Sequence, residues 1–270
     1  MLLMFDPDSY RSVAVASTFS PRFEQVLAEA KRVRDRFDAE LRLIYVGEKN
    51  NETSAKFASA LERLSLPKDS PILYEQGDPS TAILRAIERN AIELVVAGAL
   101  EKEVVLHPFL GNVARRLLRE GRSSVILFTH PAREPAPLRK IVFLAEYSEH
   151  GSKSLRRTLH FAAREKSECV YVVRLITTFD EARAKKDGTP AETDEDARLE
   201  HFVLALGHTD VPIEVRCIRG NTGFAAADFV KSVEADLLVV PLDPAKKGGQ
   251  LPPNLEWLND VIPCNLWLAR

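Results

Sequence analysis

Two glycines flank a long loop between a predicted strand and a predicted helix, and together they could bind a phosphate. Gly98 follows an apolar run at residues 92–97, which is typical of a strand buried on both faces of a parallel sheet. Gly111 precedes Asn112, a favoured N-cap residue, at the start of the helix. Glycine allows a ligand to approach the backbone closely, and a helix N-terminus favours an anion. This arrangement predicts a phosphate site at Gly98, Gly111 and Asn112.

The spacing of these residues resembles the nucleotide motif of the universal stress protein family. That family carries Gly-x2-Gly-x9-Gly-Ser/Thr between its fourth strand and fourth helix, and the motif wraps the phosphates of ATP. The sequence here gives Gly98-x2-Glu101-x9-Gly111-Asn112, with an acid at the second glycine and an amide in place of the hydroxyl. A carboxylate beside a triphosphate weakens binding unless Mg²⁺ bridges them or the side chain faces outward. The resemblance therefore implies the family's fold, with an ATP motif of altered composition.

Two further positions follow from the resemblance. ATP-binding members usually have an aspartate at the end of strand one, in a pattern Val-Ala-x-Asp-Phe-Ser-Pro that this sequence matches with Thr18 at the aspartate. The Thr18 hydroxyl can donate or accept one hydrogen bond with a ligand; alternatively, it caps the next turn. Val46 ends the second predicted strand, where the resemblance implies a backbone contact with adenine. The candidate nucleotide site is therefore Thr18, Val46, Gly98, Gly111 and Asn112; alternatively, the glycines only shape the loop.

The elements that must position these residues alternate along the first half of the chain. Gly77-Asp78-Pro79 predicts a tight turn and a helix cap within this series. The alternation of strands and helices predicts a parallel, doubly wound sheet. Strands are predicted at 12–17, 41–46, 72–75, 92–97 and 125–128, and helices at 21–37, 53–64, 80–90 and from 112.

The same order then begins again, which indicates an internal repeat. A charged segment at 179–196 predicts a loop before a helix that carries Leu199, Phe202, Val203 and Leu206. Strands of the repeat are predicted at 141–145, 170–175, 213–218, 235–240 and 265–269, with a helix at 255–262.

We interpret the chain as an α/β protein of two tandem Rossmann-like universal stress protein domains. The expected domains are residues 1–129 and 139–270, joined by a proline-rich linker at 130–138. Each would have a five-stranded parallel sheet of order 3-2-1-4-5 flanked by helices. The resemblance implies that the fifth strands pair across the interface, so that the chain forms an intramolecular pseudo-dimer.

The second half departs further from the family's nucleotide motif. Pro241 stands at the position of Gly98, Asn254 at that of Gly111, and Glu146 at that of Thr18. Proline removes an N–H donor that a phosphate cradle needs, so we expect no ATP site of the family's kind here. Glu146 keeps the family's charge on a longer side chain, or is a solvated acid at a strand end.

The sequence carries no motif of a dedicated enzyme. It has no P-loop, no Gly-x-Gly-x-x-Gly and no nucleophile elbow. The histidines follow no metal-binding pattern, and His107 either meets a ligand or is a polar loop residue. Cys169, Cys217 and Cys264 are widely spaced, which favours neither a disulfide framework nor a metal site. We therefore expect no catalysis and no resident metal, with ATP or AMP, accompanied by Mg²⁺, as the one candidate cofactor.

Charge and hydropathy exclude several classes of partner. A net charge of −2 over 270 residues gives no electrostatic reason to expect nucleic acid or an anionic membrane. No apolar run approaches the length of a membrane span, and we expect a cytoplasmic protein.

Two functions from different classes remain open. The first is a non-catalytic stress-response or regulatory protein with a weak adenine-nucleotide site in the first half, supported by a degenerate second half. The alternative is a nucleotide-free scaffold that binds a protein partner, with its clefts filled by side chains such as Leu106 or Phe109. Two tandem chains could in either case associate into a homodimer.

Overall fold

The structure is a computed structural model that describes residues 8–17, 19–99, 115–117, 120–176, 193–220, 223–243 and 263–270. Arg115–Leu117 and Glu120 are also helical. The elements of the first half are β1 (Ser12–Ser17), α1 (Phe23–Phe37), β2 (Glu40–Val46), α2 (Asn51–Arg63), β3 (Ile72–Glu75), α3 (Pro79–Arg89), β4 (Leu94–Gly98) and β5 (Ser124–Phe128).

The second half repeats this alternation. Its elements are β6 (Lys140–Leu144), α4 (Glu149–Glu165), β7 (Cys169–Ile176), α5 (Thr193–Leu204), β8 (Ile213–Arg219), α6 (Gly223–Ser232), β9 (Leu237–Pro241) and β10 (Asn265–Ala269).

The ten described strands form one continuous sheet in the order β3-β2-β1-β4-β5-β10-β9-β6-β7-β8. Neighbouring strands within each half are parallel, so the predicted order 3-2-1-4-5 occurs twice. The halves meet where β5 and β10 pair antiparallel, with Trp267 opposite Ile126. The predicted fold class is therefore confirmed, and the strand order reads the same from either edge of the sheet.

Apolar clusters fill both faces of the sheet. One cluster lies under α1, α2, α4 and α5, and includes Leu27 and Phe57. The other lies under α3 and α6, and includes Ile83 and Leu117. The chain that leaves β1 therefore crosses one face, while the chain that leaves β4 crosses the other. The gap between β1 and β4 is thus a topological switch point, where ligands of open α/β sheets bind.

The two halves share a core of aromatic rings where α1 approaches α4. Trp267 of β10 is fully buried and lies 5.8 Å from the ring of Phe37 and 5.7 Å from that of Phe161. Tyr10 meets Phe37 edge-on at 5.0 Å. Because these rings come from both halves, each half loses part of its core if the other is removed.

A buried ion cluster lies beside these rings. Glu165, at the end of α4, has a side chain that is 1% exposed and accepts hydrogen bonds from Arg32 at 3.2 Å and Arg36 at 2.6 Å. Its carboxylate also accepts from the backbone N–H of Leu138 at 3.2 Å. Arg32 pairs in addition with Glu29 of α1. The cluster therefore ties α1, α4 and the segment between the halves together.

Most predicted boundaries differ from the observed ones by one or two residues. The predicted helix start at residue 21 is wrong because the N–H of Phe23 bonds the Ser20 carbonyl at 3.0 Å, which places a turn before α1. The predicted strand starts at residues 92 and 235 are also two residues early. Glu93 and Asp236 instead accept hydrogen bonds from N–H groups at the start of the neighbouring strand.

The charged segment at 179–196 was predicted to be a loop throughout, and this is wrong at its end. Helix α5 begins at Thr193, and the acids Glu195 and Asp196 lie in its first turn, where they complement the helix dipole. Leu206 lies beyond the end of this helix. The residues before 193 in this segment, and the predicted helix at 255–262, lie outside the described residues.

Within the described part of the chain, no helix is both long and apolar enough to cross a membrane.

Candidate functional site

The register of the first half brings two of the predicted site residues to one edge of the sheet. Ser17 at the end of β1 pairs with Tyr45 of β2, and Val15 pairs with Val96 of β4. Val46 and Gly98, the last residues of β2 and β4, therefore flank the end of β1. Adjacent strands lie about 4.8 Å apart, so the two residues are separated by roughly 10 Å across the edge. The other predicted site residues, Thr18, Gly111 and Asn112, lie outside the described residues, as do Glu101 and the loop around it.

Packing against α1 explains why position 98 is a glycine. A Cβ placed there would lie 3.0 Å from Cγ2 of Val26 and 4.0 Å from Cγ of Pro131. Even an alanine at this position would require the Val26 side chain to shift by a few tenths of an ångström. The glycine thus has a structural role in the packing of α1 against the end of β4.

A cation that was not predicted lies next to Gly98. The guanidinium group of Arg22, at the N-cap of α1, donates to the carbonyl oxygens of Ala99 at 3.4 Å and Thr129 at 3.0 Å. These carbonyls follow β4 and β5, so the arginine spans the carboxyl ends of both strands. A positive charge at this edge favours an anionic ligand.

Aromatic rings line the other side of the same edge. Phe19 lies 5.1 Å from the ring of Tyr45 and 4.7 Å from that of Phe57, and Tyr74 lies 6.0 Å from Tyr45. The N–H of Gly47 bonds the Glu75 carbonyl at 2.8 Å, which fixes the backbone after Val46. The edge therefore offers an aromatic surface beside β2 and a cation beside β4.

The predicted turn at Gly77-Asp78-Pro79 is confirmed as a helix cap. Gly77 has φ +105°, a conformation that favours glycine, and the Asp78 carboxylate accepts from the Thr81 N–H at 3.0 Å. The hydroxyl of Ser80, then the amide and hydroxyl of Thr81, lower the pKa of Asp78 to about 2. Arg116 donates to the same carboxylate at 3.1 Å, which joins this cap to the helical residues 115–117.

The corresponding edge of the second half is closed by a proline and a charged stack. Pro241 is the last residue of β9, is buried, and pairs with Ala269 as Gly98 pairs with Phe128. Proline offers no N–H at this point, as the sequence predicted.

The charged stack lies at the ends of β6 and β7. Arg174 and Arg198 lie over the ring of Tyr147, with guanidinium carbons 5.0 and 4.3 Å from its centroid. The Tyr147 hydroxyl donates to Glu195 of α5 at 3.2 Å, and Arg174 donates to the Ala145 carbonyl at 3.4 Å. The first turn of α5 thus covers this edge with its own acid.

The backbone carbonyl of Glu146, the predicted counterpart of Thr18, lies in the turn before α4. Its carbonyl oxygen accepts from the Ser148 N–H at 2.9 Å. A Cβ on Gly151 would lie 1.9 Å from this oxygen, so the turn into α4 requires that glycine.

The thiols of the chain are poorly suited to nucleophilic chemistry. All three cysteines are unpaired, and burial raises the pKa of Cys217 to about 12, assisted by a hydrogen bond to Asp196. Burial likewise raises the pKa of Cys264 to about 12. Among the residues that the structure describes, no group of three or more His, Cys, Asp or Glu side chains could hold a metal ion.

Comparison with solved structures shows the same fold in several proteins. The chain is similar to a functionally unknown protein from Pseudomonas aeruginosa PAO1, with a TM-score of 0.71 and 13% identity over 97% of this chain and 93% of that one. A universal stress protein from Archaeoglobus fulgidus DSM 4304 gives a TM-score of 0.67 at 13% identity and covers 97% of both chains. The cytoplasmic domain of a prokaryotic cation chloride cotransporter gives 0.51 at 14% identity over 96% of both. Similarity at these identities concerns the fold alone.

Comparison at the level of sequence gives a family match for the first half of the chain. A search of curated proteins gave no significant match. Residues 9–129 match the model of the universal stress protein family. The first half of the chain therefore carries the sequence pattern of the universal stress protein family.

Proposed function

We propose that this chain is a non-catalytic regulatory protein of the stress response that binds an adenine nucleotide at the carboxyl edge of β1, β2 and β4. The observation that carries the proposal is the contrast between the two halves. The first has Gly98 at the end of β4 with Arg22 beside it. The second has Pro241 at the equivalent position and Tyr147 enclosed by two arginines.

Each described group at the first edge has a role that suits an adenine nucleotide. The rings of Phe19 and Tyr45 offer an apolar surface for the base, and the backbone of Val46 offers hydrogen bonds to its edge. The phosphate would lie at the end of β4 beside Gly98, which has no side chain to block it, and the Arg22 guanidinium supplies positive charge. Mg²⁺ would enter with the triphosphate, held mainly by phosphate oxygens.

One observation favours the alternative, a nucleotide-free scaffold for a protein partner. Arg22 already donates to the carbonyls of Ala99 and Thr129, and Val26 packs against Gly98. A ligand must therefore compete with these contacts or bind beside them.

The same proposal assigns a role to the second half. We infer that residues 139–270 form a second domain of the same family, which supports the first through the β5–β10 pair and the ring core. Its closed edge leaves one nucleotide site per chain. Three unpaired cysteines suit a reducing cytosol.

Calorimetric titration of the nucleotide-stripped protein with Mg-ATP, and then with AMP, tests this proposal. We expect one site per chain. We expect Arg22→Gln to weaken ATP binding about tenfold, since a charge-assisted hydrogen bond is lost. Arg89→Gln, which changes an exposed arginine on the other face of the sheet, is the matched control and should leave binding unchanged.

Two further variants test the motif itself. Glu101→Gly should strengthen ATP binding because it restores the family's glycine, and Gly111→Val should abolish it by blocking the phosphate. Two sites per chain would contradict the role given to Pro241. No heat with millimolar nucleotide, together with an unshifted melting temperature, would favour the scaffold.

A further inference from the structure

A concave surface lies outside the candidate nucleotide edge, between α1, α2 and the segment after β5. We call it the outer groove, and its volume of about 460 Å³ is within the range of small-molecule sites. Phe19, Pro21 and Phe23 line its apolar part, and Lys56, Arg63 and Arg133 are the cations of its walls. The groove therefore combines an aromatic surface with basic side chains.

The aromatic surface is held firmly in place. Phe23 is buried and meets Phe19 edge-on at 5.5 Å, and Phe57 meets Phe23 edge-on at 5.8 Å from below. The ammonium group of Lys56 lies 5.3 Å from the Phe19 centroid. A flat ring of a ligand that displaces the half-exposed Lys56 side chain could stack on Phe19 without rearrangement of the aromatic rings.

Positive charge exceeds negative charge on the walls of the groove. Three cations face two acids, Glu24 and Glu52, and Glu52 pairs with Lys56 on the surface at 2.7 Å. Glu24 is the more buried acid, with 18% of its side chain exposed, and its two oxygens bind Arg63 at 2.6 Å and Arg133 at 3.0 Å. Those arginine side chains remain 59% and 68% exposed, so N–H groups of both can still reach a ligand.

We propose that the outer groove binds a small organic anion, a carboxylate or phosphate carried on a flat apolar ring. The ring lies on Phe19, and the anion lies between Arg63 and Arg133, which Glu24 already holds on either side of itself. This ligand chemistry follows from the pairing of an aromatic surface with two exposed guanidinium groups.

The outer groove adjoins the candidate nucleotide edge, and both use the ring of Phe19 and the turn that follows it. Pro21 and Phe23 face the groove, whereas Arg22 between them donates to Ala99 and Thr129 at the strand ends. The two sites therefore differ in their cations, which are Arg63 and Arg133 in the groove and Arg22 at the strand ends.

Titration of the full chain with 1-naphthyl phosphate, 1-naphthoate and the neutral analogue 1-naphthalenemethanol tests this inference. Calorimetry measures the affinity, and backbone amide shifts locate the ligand. We expect at least one anion to bind about tenfold more tightly than the neutral analogue, with shifts at residues 19–24 and 52–63. Binding of 1-naphthyl phosphate alone would show that the groove accepts a phosphate, and binding of both anions would show that it also accepts a carboxylate.

Variants with opposite expected effects keep the test independent of folding. Arg63→Gln combined with Arg133→Gln should weaken anion binding about tenfold, and Glu24→Gln should strengthen it about threefold by removing the competing carboxylate. Arg89→Gln is again the matched control. The proposal would be overturned if the neutral analogue bound with equal affinity, or if no ligand bound at about 10 mM. It would also be overturned if these variants did not change anion binding, or if the amide shifts centred on Val46 and Gly98.

Discussion

Replacing Glu165 by glutamine should destabilise the whole chain, because this carboxylate joins the two halves. It accepts from Arg32, from Arg36 and from the Leu138 N–H, and its side chain is 1% exposed. Glutamine keeps the shape but removes the charge and turns an N–H group towards an arginine. Breaking a buried ion pair costs about 3–5 kcal/mol. We expect about 3 kcal/mol, because Arg36 is 34% exposed and can turn to water.

Urea denaturation and thermal unfolding measure this loss. A loss of about 3 kcal/mol corresponds to a fall in melting temperature of roughly 6–12 °C for a protein of this size. The control is Glu214→Gln, which breaks an exposed pair with Arg216 and should change stability by less than about 0.5 kcal/mol. Glu165→Leu combined with Arg32→Met and Glu29→Leu should recover part of the loss, because it removes the buried charges but leaves the Leu138 N–H and the Ala136 carbonyl without these partners.

A loss of less than about 1 kcal/mol for Glu165→Gln would refute this reasoning, since the burial of the carboxylate would then not matter. A loss confined to one of two separate unfolding transitions would refute the idea that the cluster couples the halves.

Two further predictions concern the turn before α3. The Ser80 hydroxyl and Thr81 lower the pKa of Asp78 from 3.8 to about 2. Between these two values the unfolded chain binds more protons than the folded chain. The stability that Asp78 contributes above pH 3.8 is therefore lost as the pH falls towards 2. Asp78→Asn should remove this part of the pH dependence, and unfolding free energies between pH 2 and 5 with the same slope in both proteins would contradict the assignment. Gly77→Ala should lower the free energy of unfolding by about 1–2 kcal/mol in urea denaturation. The cause is the φ of +105° alone, because no atom lies within 4 Å of the added Cβ. An unchanged urea midpoint would show that the turn relaxes.

The fold could be predicted from the sequence because its signals are local. Short apolar runs fix the strands, and helix caps such as Asp78 and Ser148 lie within three residues of the groups that they bind. Parallel strands joined by right-handed crossovers then leave few possible orders. The antiparallel pairing of β5 with β10 came from the family resemblance, since nothing local specifies it.

The contacts that shape the candidate site could not be predicted, because they join distant parts of the chain. Arg22 reaches carbonyls 77 and 107 residues away, and no pattern around Pro21 and Arg22 distinguishes this arginine from a solvated one. Arg32 and Glu165 are likewise 133 residues apart. Only the folded chain shows that these charges meet their partners.

The difference between the two edges can be traced to equivalent positions of one fold. Val13 pairs with Leu41 and Leu94, as Ile141 pairs with Val170 and Leu237. Counting four residues along the strands from these pairs makes Tyr45 equivalent to Arg174, and Gly98 equivalent to Pro241.

These two substitutions have different consequences for a ligand. Proline at position 241 removes one N–H donor, and this loss does not depend on the neighbouring side chains. Arg174 instead recruits Tyr147 and Glu195 into a stack that covers the ends of β6 and β7 with the first turn of α5. Restoring a glycine at position 241 alone would therefore leave the second edge closed, whereas the first edge, with Tyr45 at the same position, keeps its aromatic surface available.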